Sequence, residues 1–254
     1  MNTGKYLQVV LISFLAFAFF AFPAADRYLL GNQLLAANGS TVFENDEPAG
    51  SGVVVHDPYE KFNRAMFTFN DKLYFWFLKP VGTVYAAYFP PGLRAAVRNG
   101  FNNILFPPRF VNCALQGKLD KAGSETVRFL VNSTLGIAGL FDVAEHEFSI
   151  HAYDQDFGLT LAHFGAGTGP FLMVPVIGPS NPRDFFGYVV DSFMDPIYYI
   201  PSPIWASPAI KTGKTINNAS LKIGEYEDFK KSALDPYISM RDAYVQYREK
   251  ELTK

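Results

Sequence analysis

Cysteine is nearly absent from this chain. Cys113 is the only one, which excludes an internal disulfide framework and any cysteine-based metal cluster. Charge is scarce as well: charged residues make up 18%, with a formal net charge of −2. No overall cationic field points to nucleic acid. Strand signals are few. Residues 53–55 and 173–174 are short apolar runs, and no two of them form a convincing hairpin. The fold class that follows is all-α. What is abundant is apolar and aromatic, with 25 Phe and 14 Tyr in 254 residues. That is too apolar for disorder and greasy for a freely soluble domain.

Lys5 is the only charge before Asp26, and an apolar run fills residues 6–25. A short positive segment followed by such a run reads as an export signal, or as an N-terminal membrane anchor, since about 20 apolar residues can span a bilayer. No cysteine stands at the end of this run, so the sequence shows no lipobox for lipid attachment. Residues 26–56 lack apolar periodicity and read as a flexible linker; a helical domain then occupies 57–254. It opens at "DPYEKFNRAMFTFNDKLYFWFLKP", with Asp57 as N-cap, Pro58 at N1, Glu60 at N3 and Lys79-Pro80 as the stop. This first helix is apolar most of the way round, which suits deep burial or contact with lipid. Capping and proline signals predict further helices over 91–101, 108–116, 119–132, from Asp154 or Asp156 to 163, and over 182–194, 206–223, 226–233 and 236–252.

Between Phe157 and Pro182 no charge occurs in 26 residues, and "GAGTG" sits in the middle. A phosphate loop needs a strand before its glycines and a helix start after them. Here Pro170, Pro175 and Pro179 follow, and no Lys-Ser/Thr pair does. Four prolines and five glycines in the stretch also exclude a transmembrane helix. A bent apolar element remains, either re-entrant or interfacial, or else a buried core loop. Residues 129–141 and 196–210 are likewise apolar and broken by Gly or Pro. Three such segments favour a lipid-facing surface, and Phe171, Leu172, Met173, Tyr198, Tyr199 and Trp205 are its membrane-interface candidates.

Catalytic constellations fare poorly. "HEFSIH", from His146 to His151, has one residue too many for the zincin helix and reads as a solvated segment. No Gly-x-Ser-x-Gly elbow exists. Cys113 reads as a buried structural thiol, and Asp191 and Asp195 form only a generic carboxylate pair. Arg94 and Arg98 share a helix face and read as solvated, with lipid phosphate as the other reading. No catalytic residue, metal or cofactor is expected.

Several strings together resemble the MlaA/VacJ family of Gram-negative outer membranes: "DPYEKFNRAMFTFND", "NGFNNILFPPRFVNCALQGK", "RFLVNSTLGIAGLFDVA", "DFGLTLAHFGAGTGPFLMVPVIGPSNPRD" and "DPYISMRDAYVQYRE". The resemblance runs from about Asp57 to the C-terminus. It implies an all-α ring or disc in the periplasmic leaflet of the outer membrane, held against a trimeric porin. Through an amphipathic channel such a ring passes phospholipids misplaced in the outer leaflet to a periplasmic lipid carrier protein, with no chemistry. By the same resemblance Gly165, Gly167 and Gly169 become the hinge of a channel-side hairpin, and Arg241, Tyr244 and Arg248 on the polar last helix become carrier-contact candidates. The missing lipobox departs from the family pattern and leaves porin attachment the least secure implication. An envelope scaffold and a lipid hydrolase are the competing classes, the latter lacking a nucleophile.

Overall fold

The structure, a computed structural model, describes residues 55–199 and 206–253. The export or anchor segment, nearly all of the linker, and Trp205 lie outside the described residues. Helices dominate: α1 (Glu60–Leu73), α2 (Lys79–Tyr88), α3 (Pro91–Ile104), α4 (Phe106–Leu115), α5 (Leu119–Thr134), α6 (Val143–His146), α7 (Phe157–His163), α8 (Pro182–Met194), α9 (Ala206–Ser220), α10 (Glu225–Ser232) and α11 (Pro236–Thr253). A π-helical turn, Tyr74–Leu78, joins α1 to α2, and a 3-10 turn, Pro196–Tyr199, follows α8. The all-α reading holds with one addition. Leu172–Val174 (β1) and Gly178–Ser180 (β2) form an antiparallel hairpin, with Met173 opposite Pro179.

Several helix starts follow local capping chemistry. Asp156 accepts the Leu159 N–H at 2.8 Å and Asn181 accepts the Asp184 N–H at 2.8 Å, each satisfying one orphan donor of a first turn. Pro182 then stands at N1 of α8, where its missing N–H costs nothing. Two expectations at the first helix are corrected. Lys79-Pro80 does not end it: the chain widens into the π turn, whose closing N–H at Lys79 bonds the Tyr74 carbonyl, and helix resumes to Tyr88. Asp57 does not cap it, since Tyr59 holds that position. Asp57 instead accepts from Asn63 Nδ2 at 2.8 Å and from the Tyr237 hydroxyl, tying the start of the domain to α11.

The hydrophobic core lies where the π turn, the hairpin and the ends of α9, α10 and α11 meet. Tyr74, Leu78, Phe171, Met173, Val176, Ala219, Tyr226, Tyr237 and Met240 fill it. The hairpin enters this core because α1 supplies its missing third strand. Met173 faces the free edge of the hairpin, so the missing N–H of Pro179 opposite it costs no ladder bond; there Asn63 Oδ1 accepts the Met173 N–H at 2.8 Å while Asn63 Nδ2 donates to the Phe171 carbonyl at 3.0 Å. Seven residues on, Asn70 repeats the pattern, with its Oδ1 to Val176 N–H at 2.7 Å and its Nδ2 to the Val174 carbonyl at 3.0 Å. Seven helical residues advance about 10.5 Å, and three strand residues about 10 Å. The two asparagines therefore meet successive peptides in register.

Candidate functional site

Helix α5 is built inside out. Lys121, Glu125, Arg128 and Asn132, at i, i+4, i+7 and i+11, are all buried, whereas Leu119, Val127 and Leu130 are exposed. An ordinary surface helix does the reverse. Each inward polar group has a partner. Glu125, with no exposed surface, takes Arg109 Nε at 2.8 Å and the Tyr153 N–H at 2.8 Å. Arg128 pairs with Asp142 at 2.7 Å and Glu145 at 3.1 Å and also donates to the Ile150 carbonyl. Asn132 donates to Asp142 at 2.9 Å and accepts the Ala144 N–H at 2.9 Å. Such pairing is what makes burial of polar groups tolerable.

The inversion recurs elsewhere. Asn112 on α4 is fully buried, donating to Asp191 at 2.8 Å and accepting from Thr160 at 2.8 Å. On α9, Lys211 pairs with Asp195 at 2.5 Å, and its ammonium stands 3.5 Å from the centre of the Tyr198 ring. Arg94 is buried too, donating to the Ser220 carbonyl at 2.6 Å, which corrects its reading as a solvated residue. Outward sit Phe185, Phe186, Val189 and Phe193 along α8, and Trp76 (76% exposed), Val84 and Tyr88 (79%) along the π turn and α2. Among the described residues no helix is long and apolar enough to cross a membrane.

The interface candidates divide. Tyr198 and Tyr199 are exposed, and the Tyr199 hydroxyl closes onto the Phe193 carbonyl at 2.5 Å. Leu172 is half-buried. Phe171 and Met173 are corrected: they are core side chains, 3% and 0% exposed, because the asparagine ladder pulls β1 inward. The carrier-contact candidates are corrected in part. Arg248 is buried, with Nη1 2.7 Å from Asp156 Oδ2 and Nε 2.8 Å from Asp184 Oδ2, so it cannot meet another protein from this position. Tyr244 is half-buried and donates to Asp184 at 2.6 Å. Arg241, also half-buried, pairs with Asp242 at 2.8 Å and lies near Asp57. The signal that sequence reading missed was the polar i, i+4, i+7 stripe inside α5.

The glycines of the hinge differ from one another. Gly165 has φ +87°, its N–H bonds the Ala162 carbonyl at 2.9 Å, and the Ala166 N–H bonds the Leu161 carbonyl at 3.0 Å. That is a Schellman closure of α7. Gly167 lacks that role and has open space where a Cβ would stand. Gly169 has φ +72°, and a Cβ there would lie 3.2 Å from Pro182.

The remaining reactive types are placed structurally. Burial pushes the Cys113 thiol up to about 11, leaving it protonated and inert at neutral pH. His146 contacts the Asp142 carbonyl and His151 contacts Glu145; among the described residues no group of three or more metal-binding side chains forms. Asp191 receives Asn112 and the Phe157 N–H, while Asp195 is taken by Lys211. Burial pushes the Asp142 carboxyl up, but hydrogen bonds from Asn132 and Arg128 outweigh it and hold the group below its usual range. A depressed carboxyl stabilises the fold fully above its unfolded pKa of about 3.9 and loses that contribution as pH falls through the folded value. Thermal unfolding followed between pH 6 and 2.5 is expected to show no loss from this group above pH 5 and a decline below about pH 4. Asp142→Asn is expected to flatten that decline.

These features define a helical protein that, around an apolar core, turns exposed apolar side chains outward on α5, α8 and α2 and buries charged ones on α5 and α9. The chain belongs to the MlaA lipoprotein family, whose model matches residues 55–251. It is similar to an uncharacterized protein of Rickettsia bellii (strain RML369-C), 38% identical over 230 residues that cover 90% of this chain and 87% of the relative. The intermembrane phospholipid transport system lipoprotein MlaA of Escherichia coli (strain K12) is 30% identical over 197 residues, 75% of this chain and 76% of that protein. A solved chain described under "Structural basis for maintenance of bacterial outer membrane lipid asymmetry" superposes with a TM-score of 0.67 at 31% identity, covering 77% of this chain and 98% of that one. The family is described as lipoprotein, whereas the chain's single cysteine is the buried Cys113.

Proposed function

We propose that this chain moves phospholipids without converting them. It lies in the periplasmic leaflet of the outer membrane, takes up phospholipids misplaced in the outer leaflet, and passes them through an amphipathic path to a periplasmic carrier, beside a trimeric porin. The carrying observation is the inversion of α5. Leu119, Val127 and Leu130 face outward and Lys121, Glu125 and Arg128 inward, an arrangement stable where the surroundings are apolar and the interior must accept a polar headgroup. The relatives named for phospholipid transport and the outer-membrane lipid asymmetry of the solved neighbour support the same reading. Tyr198 and Tyr199 suit the interfacial rim, and the exposed part of α11, with Tyr244 and Arg241 at its edge, is the surface offered to the carrier.

Deleting the chain is expected to raise phospholipid in the outer leaflet while barrel assembly stays normal. An unchanged outer leaflet overturns the transport reading, and lost barrel assembly selects the scaffold. Purified protein is expected to leave labelled phospholipid intact; turnover selects the hydrolase. For the hinge, Gly167→Pro is the clean variant, because Gly165→Pro also breaks the Schellman closure. Gly167→Pro is expected to impair asymmetry with an unchanged melting temperature, whereas Gly167→Ala, which keeps the N–H, is expected to be near wild type. Normal asymmetry in Gly167→Pro removes the hinge from the account.

A further inference from the structure

Arg183 holds an unused donor under the hinge. Its side chain is 4% exposed, Nε donates to Asp184 Oδ1 at 3.0 Å, Nη1 reaches the Ala166 carbonyl at 3.4 Å, and Nη2 is buried without a hydrogen-bond partner. A guanidinium donor left unmade in the interior is costly, and its fork geometry matches a phosphate better than a single carbonyl. The covering strip is residues 163–169, which are exposed. Ala166 lies on the guanidinium and Gly169 packs against Pro182. The N–H groups of Thr168 and Gly169 donate to no group among the described residues. Arg183 itself stands in the first turn of α8, where Pro182 has no N–H and the Asp184 and Phe185 N–H groups are already taken by Asn181, so its side chain is the donor left for an anion. The surrounding charges balance: Asp156 and Asp184 against Arg248 and Arg183. An incoming anion therefore meets no net negative charge.

We propose that Arg183, with the N–H groups of Thr168 and Gly169, is a phosphate site that engages the phosphodiester of a phospholipid when the 163–169 strip lifts. The Ala166 carbonyl holds Nη1 until then, so the strip and the headgroup compete for that donor. The phosphodiester identity rests on the transport reading; the anion site rests on the buried, unpaired Nη2.

The test uses the full chain in mild detergent with three probes: dihexanoyl phosphatidylglycerol, dihexanoylglycerol, which lacks phosphate, and inorganic phosphate. Arg183→Gln is expected to weaken the phosphatidylglycerol probe about tenfold or more, the scale of a charge-assisted hydrogen bond, and to leave dihexanoylglycerol unchanged. Arg183→Lys, which keeps the charge and loses the fork, is expected to give a loss of several-fold and serves alone if the glutamine variant does not fold. Equal loss of both lipids, or loss of neither, overturns the site while leaving transport standing. Inorganic phosphate that binds wild type as tightly as the lipid, and is lost in the variants, assigns the site to free phosphate and overturns its lipid occupant. Wild-type protein that binds neither lipid overturns the transport reading and this inference with it.

Discussion

Asn63→Leu is expected to destabilise the protein by about 2–5 kcal/mol, and Asn70→Leu by a similar amount. Leucine has the branched skeleton of asparagine with more bulk, so the loss comes from polarity and crowding and not from a cavity. At position 63 it strands the Met173 N–H and the Phe171 carbonyl; at position 70, the Val176 N–H and the Val174 carbonyl. Each buried backbone group left without a partner costs about 1–3 kcal/mol. Asn63 loses a third bond, to Asp57, so its variant is expected to be the worse of the two. Unfolding midpoints by circular dichroism in mild detergent decide it. A loss below about 1 kcal/mol at both positions means that the hairpin finds other partners and the ladder is dispensable.

Arg248→Met is expected to cost about 3–5 kcal/mol, the range for breaking a buried ion pair by removing one partner. The methionine fills most of the space but removes the cation that Asp156 and Asp184 share, leaving the two carboxylates with Arg183 on Asp184 alone. The close approach is built in. A Cβ on Gly187 would lie 2.3 Å from the Gly158 nitrogen, and one on Gly158 would lie 2.6 Å from Asp184 Oδ1. The backbones of α7 and α8 therefore touch, and their first turns converge on α11. Adding Asp156→Asn is expected to recover much of the loss, since asparagine also caps a helix and the carboxylate that remains, Asp184, keeps Arg183. If Arg248→Met unfolds at the wild-type midpoint, α11 is held by its apolar contacts, such as Tyr237 and Met240, and the clamp is incidental. The same arrangement explains why α11, the most polar helix by sequence, offers less of itself to a partner than its composition suggests.

The sequence by itself determined most of the helices, α2 and the short α6 excepted, because the signals that start and stop them act within a few residues. Asp156 and Asn181 cap α7 and α8 through side chains that reach three residues on. Asp235 does the same for α11, accepting the Tyr237 and Ile238 N–H groups. The family membership was also legible, carried by strings long enough to specify one fold. Local rules failed where a distant residue intervened. Asp57 has the spacing of a cap, yet Tyr237, 180 residues away, takes its carboxylate. Phe171 and Met173 read as rim residues until Asn63 draws their strand into the core. Arg248 reads as a charge on a polar helix until its partners arrive from 92 and 64 residues away. The direction that α5 faces was the largest of these decisions. Its apolar and polar stripes are both visible in the sequence, but periodicity does not say which stripe turns inward. Arg109, Asp142 and Tyr153 decide that, by supplying partners that let charge be buried and leave the apolar stripe outside.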